Sequence, residues 1–253
     1  MKRVLVYLTI TFVWSWSWWI SLATSGTVTH AGVGWPTHLF GLLGPAIGAF
    51  GTVGIFDGRT GLIDLWSRIT KWRVRWWWYA LIVVTALGAV IPGVVDLSSA
   101  LKYSGAPEWG LFTIVVVLIL NGFGEEIGWR GFLADYFLKK HSTAVTAFLV
   151  WIIWGLWHVP LFWVVSSFME LGIGGTIGWA LGLLSGSIWL TWMYKGAGYS
   201  ILIVALWHTA FNFSTATDAT AGVPAAVIST LVMIASVVVL CFPRVWKKPQ
   251  FSR

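Results

Sequence analysis

Gly124-Glu125-Glu126-Ile127-Gly128-Trp129-Arg130-Gly131-Phe132-Leu133 sets two adjacent carboxylates and an arginine directly behind an apolar run, Leu111 to Leu120. An ionisable side chain at membrane depth is expensive and is retained where it has work to do. Working outward, His158 and His208 also interrupt apolar runs, and Asn212 follows His208 by four residues. These positions read as one polar, water-using site inside a bundle of apolar helices.

The rest of the chain agrees with a membrane setting. Of 253 residues, 58% are hydrophobic and only 10% are charged. A soluble domain carries about 25% charged residues, so this chain lacks the charge to coat a water-exposed surface. Apolar runs approach the ~20 residues of a spanning helix and do not show the ~10-residue alternation of a barrel strand. The single Cys241 excludes an intrachain disulfide framework and a cysteine-based metal cluster.

The expected fold is therefore all-α: a polytopic membrane protein of about eight transmembrane helices, with residues 1–253 as one domain. The spans run from about Val4 to Ala23, His38 to Phe56, Trp76 to Val95 and from Gly110 through the charged stretch. They continue from Thr143 to Val165, Ile173 to Tyr194, Ser200 to Phe213 and Val223 to Phe242. Asp57 to Arg75 and Asp96 to Trp109 read as polar loops, and His141-Ser142 as a break. His30, His38 and His141 fall at segment ends and read as interfacial. Gly174, Gly178, Gly182 and Gly186, four apart, read as a stripe for close helix packing.

Eight spans place both termini on one side. Every Lys and Arg except Lys102 and Arg130 then falls on that side, Arg253 included. Such a bias marks it as cytoplasmic. The net charge of +7 is thus a topology signal with attraction to anionic lipid, and not a nucleic-acid footprint. The partners expected are the lipid bilayer and a peptide or protein at the membrane.

Helical geometry organises the polar residues further. In the hairpin of the fourth and fifth helices, Glu125, Glu126 and His158 lie roughly 20–25 Å from the turn, and they face one another if the helix faces agree. Arg130 and Trp154 pair one turn nearer the cytoplasm. Glu126 and Arg130 share a face, as do His208 and Asn212. One carboxylate can thus be ion-paired on its own helix while Glu125, about 100° away, stays available. A carboxylate can act as general base towards water. A histidine–asparagine pair can stabilise an oxyanion. Alternatively, Glu125, His158 and His208 could hold Zn²⁺ with water in the fourth position. The usual His-Glu-x-x-His helix signature of zinc proteases is absent.

At these residues the sequence resembles the CPBP intramembrane protease family, which includes CAAX prenyl endopeptidases and bacteriocin-processing enzymes. That family shows Glu-Glu-x-x-x-Arg, Phe-x-x-x-His and His-x-x-x-Asn in order. Glu125-Glu126-Ile127-Gly128-Trp129-Arg130 matches the first. Trp154-Gly155-Leu156-Trp157-His158 matches the second, with Trp154 in place of phenylalanine, and His208-Thr209-Ala210-Phe211-Asn212 matches the third. The motif-bearing core, about 110–214, carries nearly all of the likeness.

The resemblance implies an intramembrane endopeptidase, a hydrolase of the bacterial-type cell membrane acting on a prenylated or leader-bearing protein or peptide. It implies Glu125 as the activator of water with His158 assisting, and His208 and Asn212 as oxyanion stabilisers. It also implies Glu126 and Arg130 as supporting groups, with Trp154 lining the site. Members are often named metalloproteases, and a metal-free glutamate mechanism is an equal alternative. Two other classes remain open on residues alone: a proton-coupled carrier, for which no inverted repeat is visible, and a non-catalytic scaffold or immunity protein.

Overall fold

A computed structural model describes residues 1–248, apart from the side chains of 92–95. Arg253, counted above with the basic residues, lies outside the described residues. The structure is helical, and the described residues form no β-strand beyond isolated bridges. Helix α1 spans Lys2–Thr24 and α2 Gly44–Ile69, the latter entered through a 3₁₀ turn at His38–Leu43. Helix α3 spans Trp77–Val95, and α4 runs continuously over Phe112–Leu138. Then follow α5 (Thr143–Trp157), α6 (Gly172–Gly196), α7 (Ile201–Phe213) and α8 (Val223–Leu240). Among the described residues six helical stretches are long and apolar enough to cross a membrane, and α7, of 13 residues, is apolar but shorter.

Local sequence accounts for the boundaries. Ser142 and Ser200 begin α5 and α7 with side-chain oxygens that accept the N–H groups of Val145 and Ile203, each at 3.3 Å. Such a hydroxyl satisfies one of the donors that a helix start leaves unpaired. Helix α5 stops at Trp157, earlier than the expected Val165, and a 3₁₀ turn over Val159–Trp163 follows. Pro160 sits in that turn, where its missing N–H and fixed φ disfavour a further α-helical turn.

Three expectations are corrected. The segment from Asp57 is not loop throughout, since helix continues to Ile69. Gly58 breaks the axis with φ +59°, a left-handed conformation natural to glycine, and the re-aimed turns bury Leu65 and Ile69. His38 is not interfacial: it is buried, with Nδ1 3.0 Å from Thr29 Oγ1. The α6 glycines make no tight stripe. A Cβ at Gly174, Gly178 or Gly186 would meet nothing within 4 Å, and one at Gly182 would meet only Met233 Cε at 3.5 Å.

Close helix contact occurs around α4 instead. A Cβ on Gly128 would lie 2.5 Å from the Pro45 backbone, and one on Gly122 would lie 2.9 Å from the Ala205 carbonyl. These glycines let α2 and α7 approach the helix that carries the charged stretch. At one end of the bundle, bridges between Thr29 and Val165, Ala31 and Ser104, and Tyr103 and Thr217 knit four connecting segments together. In that knit, burial pushes the Tyr103 phenol above its ordinary value. In the connection before it, the Ser98 and Ser99 donors hold the exposed Asp96 carboxyl down at about 2.

Candidate active site

Helix α4 is not a uniform α-helix. Wider π-helical turns occupy Leu118–Phe123 and Trp129–Ala134, on either side of the α-helical turn Gly124–Gly128. Each π turn rotates the residues beyond it relative to an ideal helix. Between the two, Glu125 and Glu126 point into the bundle, where both are buried.

The two carboxylates are held differently. Arg130 donates from Nη1 to Glu126 Oε1 at 2.8 Å, and His208 Nδ1 meets the same oxygen at 2.8 Å. Glu126 is therefore the ion-paired carboxylate, as the four-residue spacing indicated. Glu125 is held by neutral donors. Asn121 donates to its Oε1 at 2.9 Å and Trp154 donates from the indole nitrogen to its Oε2 at 2.7 Å. Asn212 in turn donates from Nδ2 to Asn121 Oδ1. A relay of amides thus runs from α7 to Glu125.

Trp154 holds the centre of the cluster by three different parts of the residue. Its indole N–H serves Glu125; its ring lies under the Arg130 guanidinium, 4.5 Å from Cζ to ring centre. Its carbonyl accepts the Nδ1–H of His158 at 2.7 Å. The imidazole of His158 consequently presents Nε2 away from that bond, and His208, bound to Glu126 through Nδ1, does likewise. The His208 ring stands edge-on to the Trp154 ring at 5.7 Å. On its other side His158 meets Trp179 edge-on at 5.4 Å and stacks on Phe168 at 6.2 Å.

All the residues singled out from sequence, Glu125, Glu126, Arg130, Trp154, His158, His208 and Asn212, belong to one connected cluster. Three details differ. Glu125 is not bare, because both oxygens already accept hydrogen bonds. His158 is bonded to the Trp154 backbone, not to Glu125. Asn121 was missed, although an asparagine in an apolar run four residues before Glu125 is the spacing that places two side chains on one helical face.

The metal alternative requires the donors to converge. Among the described residues no three His, Cys, Asp or Glu side chains form a group able to hold an ion. Both oxygens of Glu125 face N–H donors, and the two histidines are turned onto different acceptors. As arranged, these side chains do not fit a bound Zn²⁺.

Fold and site together define a helical, membrane-spanning protein with a buried glutamate–histidine–asparagine cluster. Residues 107–214 match the family described as Type II CAAX prenyl endopeptidase Rce1-like. The chain is also similar to CAAX prenyl protease 2 of Methanococcus maripaludis, at 25% identity over an alignment that covers 83% of this chain and 82% of that protein. The family likeness read from the three motifs is therefore shown. With the apolar helices, it supports an integral membrane protein of the endopeptidase class.

Proposed function

We propose that the protein is an intramembrane endopeptidase in which Glu125 activates water without a metal. In this reading Glu125 takes a proton from water as the water oxygen attacks the scissile carbonyl carbon. The oxyanion that forms is stabilised from the side of His208 and Asn212. His158 steers the water and helps return the proton to the leaving amide nitrogen, whereupon the carbon–nitrogen bond breaks. Glu126 and Arg130 fix His208 and Trp154 in place.

The observation that carries this reading is the unequal treatment of two adjacent carboxylates. Glu126 is committed to Arg130 and His208, while Glu125 is oriented by neutral donors and carries no ion pair among the described residues. A purely structural ion pair needs only the first of these.

The finer features belong to the same proposal. Residues 1–253 form one transmembrane domain with the catalytic core at about 110–214. The termini are cytoplasmic, in a bacterial-type cell membrane. The substrate is a membrane-associated protein or peptide, prenylated or leader-bearing.

The test is a comparison of new protein termini, by mass spectrometry, in cells carrying wild type or Glu125→Ala at matched membrane levels. Termini present only with wild type are the expected result. Identical cleavage by the variant would sink the assignment of Glu125.

A further inference from the structure

Arg3, Tyr7, Thr11 and Ser15 follow one another at four-residue intervals along α1, so they share one face of the helix. That face lies on α2 where glycines admit it: a Cβ on Gly48 would collide with Thr11 Oγ1, and one on Gly44 with Ser15 Oγ. Arg3 is ion-paired to Asp57 at 2.8 Å and lines a cleft of about 360 Å³ that Arg68, Phe132, Asp135 and Lys139 also border. One turn further in, the Tyr7 ring stacks on Phe132 at 4.6 Å and meets Trp129 edge-on at 6.0 Å. The tyrosine ring therefore lies beside the turn that carries Arg130.

Along this route the side chains are left with unmet hydrogen-bonding capacity. Thr52 Oγ1, Glu126 Oε2, and Arg130 Nε and Nη2 are buried without a protein partner, and the Tyr7 and Thr11 hydroxyls have at most each other. All five residues are fully enclosed. Buried polar groups are normally satisfied, and ordered water is what satisfies them when protein groups do not. The chemistry of the atoms selects the same ligand. Arg130 supplies donors, Glu126 an acceptor, and the three hydroxyls serve as either. Arg130 and Glu126 offset each other's charge, so a free ion has nothing to neutralise.

We propose that this seam between α1, α2 and α4 holds a file of ordered water joining the cleft to the Glu126–Arg130 pair. It supplies the water consumed at Glu125. Only that use of the water rests on the peptidase reading.

The experiment is radiolytic hydroxyl-radical labelling of the full chain in lipid nanodiscs, read by mass spectrometry. Tyr7 is compared with Trp19, which is equally enclosed but has its indole N–H bonded to the His38 carbonyl. Tyr7 is expected to be oxidised at least tenfold faster than Trp19. Equal protection of the two overturns the water file, whatever the protein's activity. The Thr11→Val, Thr52→Val double variant is then expected to slow Tyr7 labelling several-fold and to lower kcat with KM unchanged. Slower labelling with full turnover would overturn the supply role alone. If the protein proves not to cleave peptides, the labelling contrast still decides whether the file exists.

Discussion

The indole nitrogen of Trp154 donates to Oε2 of Glu125 across 2.7 Å, from one helix of the α4–α5 hairpin to the other. The same ring seats Arg130, so one side chain orients both the free carboxylate and the cation that pairs with its neighbour. The phenylalanine of the family pattern has no N–H to give. At this position the tryptophan supplies a hydrogen bond to the proposed base.

Trp154→Phe isolates that bond, because the aromatic face for Arg130 remains. A hydrogen bond to a charged group contributes about 1.5–3 kcal/mol. If the bond holds Glu125 in its working geometry, kcat should fall by roughly ten- to a hundredfold, with KM little changed. Steady-state kinetics on a cleaved peptide gives the answer. Unaltered kcat would mean that Asn121 alone orients the carboxylate.

Asn212 reaches Glu125 through Asn121 as well as standing at the proposed oxyanion, so the effects of the two residues should be less than additive. Asn121→Ala and Asn212→Ala are each expected to reduce turnover, and the double variant to lose less than the sum of the two while remaining worse than Asn121→Ala. A coupling of about 0.5–3 kcal/mol in a double-mutant cycle is typical of residues in one network. Fully additive losses would mean that the relay through Asn121 carries nothing and that Asn212 acts on the oxyanion alone.

Arg130 is fully enclosed with Glu126, and removing one partner of such a pair strands the other charge. Arg130→Met should destabilise the protein by about 3–5 kcal/mol. Adding Glu126→Leu should recover much of that loss without restoring activity, because His208 would then lack its acceptor. Thermal unfolding in detergent, paired with a cleavage assay, measures both.

Glycines should differ according to what surrounds them. Gly128→Ala drives a methyl into the Pro45 backbone and should lower both stability and activity by separating α2 from α4. Gly178→Ala projects into open space and should leave both unchanged. Expression level and melting temperature of the pair check the contrast. A tolerated Gly128→Ala would mean that the two helices part without cost.

Much of this was legible in the residues themselves. A shortage of charge with long apolar runs dictates helices in a membrane, because a backbone in lipid must satisfy its own hydrogen bonds. The spacing of Glu126 and Arg130, and of Asn121 and Glu125, follows from the pitch of a single helix. So does the role of Ser142 and Ser200 as helix starts. These are local relations, fixed by a few consecutive residues.

What the sequence could not determine depends on which helix lies against which face. Four-residue glycine spacing occurs in both α4 and α6, yet only the α4 glycines meet a neighbouring backbone. Two π turns rotate the ends of α4 away from ideal helical phase, and no local pattern announced them. The bond from Trp154 to Glu125, the relay from Asn212 through Asn121 and the enclosed seam beside Tyr7 each join different helices. Short-range spacing specifies the face on which a side chain stands. Only the packed bundle determines what that face meets, because hydrogen bonds and enclosure act at contact distance.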